Sequence, residues 1–288
     1  MRVTVLGADG MLGHVVVRTL RAQGDEVTAV TRRLPVGATA EALAGGPVIS
    51  GVDGRLEHSI ASALTTSRPE AVVNCVGAVK QRAEGREAVE AILVNSLLPH
   101  RLASLCALAG ARMVTISTDC VFSGRTGAYG EGDTPDPVDV YGRSKLLGEV
   151  DAEHVVTLRT SMVGLELDRA SGLIEWFLRQ SGTVRGWDKA LYSGLTTAEL
   201  ARVIALLLHD HQSLTGLWHV AGPVIDKLSL LRSFATSLER DVLVVPQSDV
   251  VINRTLDGRR FAGITGHRSP SWPDMLDELA GEVRARAR

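Results

Sequence analysis

Arg2-Val3-Thr4-Val5-Leu6-Gly7-Ala8-Asp9-Gly10-Met11-Leu12-Gly13 is the stretch whose reading decides the fold. An apolar, β-branched run, a glycine turn and an apolar-periodic segment follow one another without interruption. That order predicts a buried strand at Arg2–Leu6 turning directly into a helix over residues 11–23. Each glycine then has its own task. Gly7 permits the tight turn, Gly10 lets a pyrophosphate approach the backbone, and Gly13 lets the helix lie close against the strand. The helix start, with Met11 and Leu12 in it, offers free N–H groups to phosphates. The spacing is GxxGxxG rather than GxGxxG, so its weight comes from its position after a buried strand.

The alternation continues outward from this turn. Short β-branched runs at 26–31, 71–75 and 112–117 alternate with helical patterns at 55–67 and 86–109. A helix from 141 to about 153 precedes a strand at Val155–Arg159. The expectation is an α/β fold: a Rossmann-type doubly wound parallel sheet covered on both faces. Beyond residue 160 the rhythm loosens into helices near 171–180, 197–209, 228–239 and 273–286, with strands near 216–220 and 242–245. Residues 1–160 are therefore expected to form a nucleotide-binding domain. Residues 161–288 are expected to form a smaller C-terminal α/β substrate lobe, with segments returning to the sheet. Such a lobe covers the carboxyl ends of the strands, where these sheets bind ligands.

Composition narrows the function classes. The chain has 288 residues, 45% of them hydrophobic, and a formal net charge of -2, so no global charge points to nucleic acid or a membrane surface. The basic end 284–288 is short and reads as a solvated helix terminus. Cys75, Cys106 and Cys120 have neither an even count nor a CxxC spacing, so no disulfide framework and no metal site is expected. Cys75 and Cys106 sit in apolar runs and read as core. No signal-peptide layout and no apolar run of membrane-spanning length is found, so a cytoplasmic setting is expected.

Three further groups carry chemistry. The second strand ends in Thr31-Arg32-Arg33, without the acidic residue that NAD binders place against a ribose 2′-hydroxyl; two arginines favour a 2′-phosphate, hence NADPH over NADH. The fifth strand ends in Ser117-Thr118, hydroxyls that can hold a carbonyl at a sheet edge. Tyr141 and Lys145 share one helix face, where the ammonium is expected to draw the phenol pKa down toward neutrality.

These residues belong to longer motifs: Asn74-Cys75-Val76-Gly77, Val94-Asn95, the block from Ser117-Thr118-Asp119-Cys120-Val121-Phe122 to Gly124, Tyr129-Gly130-Glu131, Tyr141-Gly142-Arg143-Ser144-Lys145 with Gly148-Glu149, Arg159-Thr160-Ser161, and Asn253 to Asp257. Together they resemble the extended short-chain dehydrogenase/reductase superfamily, and within it the dTDP-4-dehydrorhamnose reductase family. The resemblance runs the length of the chain. It implies that Tyr141 protonates a sugar C4 carbonyl oxygen as hydride arrives. It implies that Lys145 binds the nicotinamide ribose and keeps the phenol acidic, and that Thr118 orients the carbonyl. By the same resemblance Val76 and Gly77 pass along the cofactor, and Asn95 is structural.

Two positions depart from the family pattern. Cys120 stands where a tyrosine is usual and Met162 where a tryptophan is usual. Arg185 and Trp187 are therefore candidates, with Cys120 and Met162, for contacting the sugar, the diphosphate or the base, whereas Trp176 reads as core. Ser193 to Thr197 replaces the family's GxPT, with Thr196 or Thr197 as helix N-cap. The expected activity is NADPH-dependent reduction of a nucleotide-linked 4-keto-6-deoxyhexose. The expected partner is that nucleotide-diphosphate sugar, and at most a second copy of the chain in a homodimer. Alternatives are a related nucleotide-sugar epimerase/reductase or dehydratase, disfavoured by the lack of an Asp-Glu pair at Asp119-Cys120, and a non-catalytic NADP-binding regulatory subunit.

Overall fold

In the computed structural model, residues 1–79, 87–167 and 171–286 are described. All of β1 (Arg2–Leu6) but Arg2 is buried, because its alternate side chains enter two different cores. Val3 and Val5 join Val27 and Ala29 of β2 (Glu26–Val30) and pack on Val15, Val16 and Leu20 of the helix Gly13–Ala22. Leu6, Val30 and Val72 pack on the opposite side against Ile60, Leu64 and Leu98. A strand covered on both faces must be apolar throughout, which is why these strands read as continuous runs. Full burial of each Val or Leu contributes about 1.5–3 kcal/mol.

The sheet continues with β3 (Val48–Ile49), β4 (Ala71–Asn74), β5 (Arg112–Ile116) and β6 (Val155–Arg159). Then come β7 (Met162–Val163), β8 (Gly182–Trp187), β9 (Ala190–Tyr192), β10 (Leu195–Thr196), β11 (Gly216–His219), β12 (Ile225–Asp226), β13 (Val242–Gln247) and β14 (Ile252–Asn253). The main sheet has seven strands in the order β11-β6-β5-β4-β1-β2-β3, and all its pairings are parallel. The order reverses between β1 and β4, so their carboxyl ends open a crevice for a ligand. β11 joins the edge from far along the chain. The remaining strands form small sheets, β10-β7, β12-β9-β14 and β13-β8, that stand over the crevice.

Several of these pieces were not expected from the sequence: the helices Gly37–Leu43 and Arg259–Thr265, the six-residue strand β8, and the shorter strands β3, β7, β9, β10, β12 and β14. Strands of two or three residues carry no period to read. The helix expected at 86–109 is present from Ala88, and residue 86 lies outside the described residues. By length and composition Ala88–Ala109 would pass as a membrane span, which corrects the expectation that no run reaches that length. Its inner face is committed to the protein, through Leu98, Leu102 and Cys106 in the core. The helix expected from 141 ends early, at Leu147.

Candidate active site

The glycine turn is built as its spacing implies. Gly7 has φ +73°, and a Cβ there would press on the Cys75–Val76 peptide at 3.0 Å, so β1 and β4 can approach only with glycine. A Cβ on Gly13 would overlap the Gly7 carbonyl oxygen and lie 2.8 Å from Ala8 Cα, which makes Gly13 the close-packing residue. The helix that follows has no side-chain cap at Leu12, so its start faces a ligand uncapped, although the His14 N–H already donates to the Gly10 carbonyl at 3.4 Å. Gly7, Gly10, Met11, Leu12, Val76 and Gly77 all line a cavity of about 1210 Å³. Arg32 lines it too, exposed at the rim beside Asp53, whose carboxyl is held down chiefly by Arg55 and, more weakly, by Arg32. Arg33 is exposed and its carbonyl accepts the Thr31 hydroxyl at 2.7 Å; it is not part of the cavity wall.

Thr118, Tyr141 and Lys145 line the same cavity. Thr118 ends the extended run from β5, and its Oγ1 accepts the Cys120 N–H at 3.2 Å while its hydroxyl donates to Asp119 Oδ1 at 3.2 Å. The helix Val140–Leu147 starts at Asp139, whose carboxylate accepts the Gly142 N–H at 2.7 Å, and so presents Tyr141 and Lys145 one turn apart. Gly142 is required there, since a Cβ would overlap the Cys120 carbonyl. Lys145 Nζ donates to the Ile116 carbonyl at 2.9 Å and would stand 3.5 Å from a Cβ on Gly77.

The expectation that Lys145 draws the phenol toward neutrality does not hold in this geometry. Burial pushes Tyr141 above the ordinary phenol range, the Cys120 thiol adds to the rise, and the Thr118 hydroxyl opposes it. Lys145 itself is lowered to about 8 by burial, against Glu149 and Cys75. The low-dielectric setting disfavours both charged forms and outweighs the pairwise attraction. Tyr141 is thus a neutral phenol at pH 7, able to donate a proton.

Asn95 is structural, as the resemblance implies. A π-helical turn at Ile92–Leu97 brings it inward. Its Oδ1 accepts the Ala78 N–H at 2.9 Å, and its Nδ2 donates to the Ala78 carbonyl at 2.9 Å and to Ser144 Oγ at 3.1 Å. It ties the β4 turn to the Tyr141 helix.

Other motif residues form a buried polar support beneath the site, a role the sequence did not reveal. Glu149 accepts from Ser117 Oγ at 2.6 Å and from both Nε and Nη2 of Arg159 at 2.7 Å. Arg159 lies over the Phe122 ring at 5.2 Å, and Phe122 stacks on Tyr129 at 4.1 Å. Arg159 Nη1 meets His219 Nε2 at 3.3 Å, while His219 Nδ1 meets the Tyr129 carbonyl at 2.9 Å. His219 therefore serves as a neutral ring that accepts from Arg159 and donates to Tyr129. The signal was that Glu149, Arg159, Tyr129 and Phe122 recur in one set of motifs.

Cys120, Met162, Arg185 and Trp187 all line the cavity, Cys120 directly beside Thr118. Arg185 and Trp187 alternate along β8 and are both exposed. Trp176 is 36% exposed and lines the cavity as well, which corrects its reading as core; the short helix Leu173–Leu178 turns Ile174 and Phe177 inward instead. Cys75 packs against the core, as expected, and its other side lines the cavity, while Cys106 is fully buried. Sequence reasoning missed Asp119, Tyr192, Lys227 and Arg254 as wall residues. Arg254 donates from Nε to the Phe122 carbonyl at 3.0 Å and from Nη1 to Cys120 Sγ at 3.6 Å. Thr196 is the N-cap of the helix Thr197–His209.

A seven-stranded parallel sheet, a glycine turn at its switch point and a Thr/Tyr/Lys set across the crevice define an extended short-chain dehydrogenase/reductase. Within that class the chain belongs to the family of the RmlD substrate binding domain, whose model matches residues 1–230. It is 30% identical over 230 residues to the spore coat polysaccharide biosynthesis protein SpsK of Bacillus subtilis, covering 77% of this chain and 73% of that one. It is 36% identical over 146 residues to the probable low-salt glycan biosynthesis reductase Agl14 of Haloferax volcanii, which is 50% of this chain and 46% of that protein's length. Its fold is similar to that of a dTDP-4-dehydrorhamnose reductase from Bacillus anthracis solved with NADP, with TM-score 0.81 and 22% identity over 98% of this chain and 99% of that one.

Proposed function

We propose that this protein uses NADPH to reduce the C4 ketone of a nucleotide-linked 4-keto-6-deoxyhexose, a step of deoxysugar biosynthesis. The carrying observation is that Thr118, Tyr141 and Lys145 line the same cavity as the glycine turn and Arg32. The turn suits a pyrophosphate, with glycines where a Cβ would obstruct and an uncapped helix start behind them. Arg32 suits a 2′-phosphate, and the Bacillus anthracis neighbour was solved with NADP.

When bound, NADPH supplies the hydride. Tyr141 gives its phenolic proton to the carbonyl oxygen, so the ketone carbon gains hydride and its oxygen gains a proton. Thr118, turning its one hydroxyl proton from Asp119 to the same oxygen, holds the carbonyl toward the phenol. Lys145 is the positive group nearby and is suited to ribose hydroxyls. Trp176, Trp187 and Arg185 form a rim suited to a base and diphosphate, and Met162 and Cys120 shape the sugar pocket.

The test is NADPH consumption with a panel of dTDP-, UDP-, GDP- and CDP-linked 4-keto sugars. Turnover with at least one is expected. NADPH binding without turnover of any would overturn the reading and favour a regulatory, non-catalytic subunit.

A further inference from the structure

Tyr192 ends β9, the middle strand of the sheet β12-β9-β14. It is 3% exposed and lines the catalytic cavity, and its hydroxyl has no hydrogen-bond partner among the described residues. The ring is held firmly in this position. Lys227, next after β12, sets its ammonium 3.4 Å from the ring centroid, and Trp272 packs at 5.6 Å. A Cβ on Gly194 would come within 2.8 Å of Tyr192 Cε2, so the chain keeps glycine where the phenol passes. Burial, and after it the negative charge of Asp119, which follows Thr118, keeps this phenol protonated. A buried hydroxyl left unpaired costs about 1–3 kcal/mol, so a ligand oxygen that reaches this wall and accepts from it relieves that cost.

We propose that Tyr192 is a specificity-determining residue: its hydroxyl donates to an oxygen substituent of the sugar, so the substrate is a ketohexose that keeps a ring hydroxyl on the side facing β9. This rests on the ketosugar reading above and adds to it the group that is recognised. A substrate with that oxygen satisfies the phenol. One without it leaves the phenol unpaired and is rejected.

The experiment compares wild type with Tyr192→Phe on the active ketosugar and on its 2-deoxy and 3-deoxy counterparts. The variant should raise KM for the parent sugar about ten-fold with kcat within about two-fold, and keep the wild-type affinity for NADPH. Wild type should discriminate against one deoxy counterpart, and Tyr192→Phe should treat that counterpart and the parent alike. The variant should also melt no lower than wild type, since the hydroxyl it removes has no partner among the described residues. A variant with wild-type KM on every sugar, or one that loses NADPH affinity and thermal stability together, would overturn the proposal. Should wild type turn over no ketosugar, the reduction reading fails. Calorimetric titration with the nucleotide-linked hexose alcohol then decides the Tyr192 proposal, with weaker binding by Tyr192→Phe supporting it and equal binding overturning it.

Discussion

Lys145 loses its proton near pH 8, well before Tyr141 ionises, because burial lowers the one and raises the other. The cation proposed to meet the cofactor ribose therefore disappears on the alkaline side, and kcat/KM for NADPH should fall as pH rises through about 8. A profile flat to pH 10 would remove Lys145 from that role. Tyr141→Phe should lower kcat by about 10²–10⁴-fold while NADPH still binds, read by fluorescence titration and initial rates. Arg32→Ala should weaken NADPH far more than NADH, and Arg33→Ala should alter neither. Equal loss for both nucleotides would sink the 2′-phosphate argument. At this scale the sequence was legible in which residues meet, since Thr118, Tyr141, Lys145, Gly7 and Gly10 share one cavity and Gly13 packs close behind it. It was not legible where burial decides, since the same Tyr141–Lys145 spacing in water would lower the phenol rather than leave it raised. Nor did spacing alone separate Arg32, on the cavity wall, from Arg33, off it.

Asn95 couples two elements, the π-helical turn at Ile92–Leu97 and the Tyr141 helix. Asn95→Ala leaves the Ala78 N–H and carbonyl and the Ser144 hydroxyl without this partner, and should cost about 2–4 kcal/mol in denaturant unfolding. It should also weaken NADPH, because Gly77 follows the same turn. Unchanged unfolding would show that the π-turn is incidental. The long strands and helices of the nucleotide-binding half were readable because burial on two faces writes continuous apolar runs. β7, β9, β12 and β14 were not, because two or three residues paired across a lobe carry no period. Those short strands are the ones that bring Met162, Tyr192, Lys227 and Arg254 to the cavity wall, so the substrate wall was the least legible part of the site.

Across the whole molecule, the polar set Ser117–Glu149–Arg159–His219 joins the ends of β5, β6 and β11 to the segment after the Tyr141 helix. Glu149→Ala would leave Arg159, 4% exposed, without its carboxylate, at a cost of about 3–5 kcal/mol. His219 is held below the ordinary imidazole value of 6.5, first by burial and also by Arg159, against Glu131. The unfolded chain takes up that proton as pH falls through about 6.5 and the folded chain does not, so this contribution is present above that pH and lost below it. Melting temperature should drop between pH 7 and pH 5, and less steeply in His219→Gln. The central claim, hydride transfer to a sugar ketone with Tyr141 as proton donor, is tested most directly by mass spectrometry of the sugar after incubation with 4-deuterated NADPH. With both C4 hydrogens of NADPH replaced by deuterium, so that either face carries label, the account predicts one deuterium at the sugar C4 with wild type and almost none with Tyr141→Phe. Label absent from every nucleotide-linked ketosugar despite bound NADPH, or incorporated equally by both proteins, would contradict it.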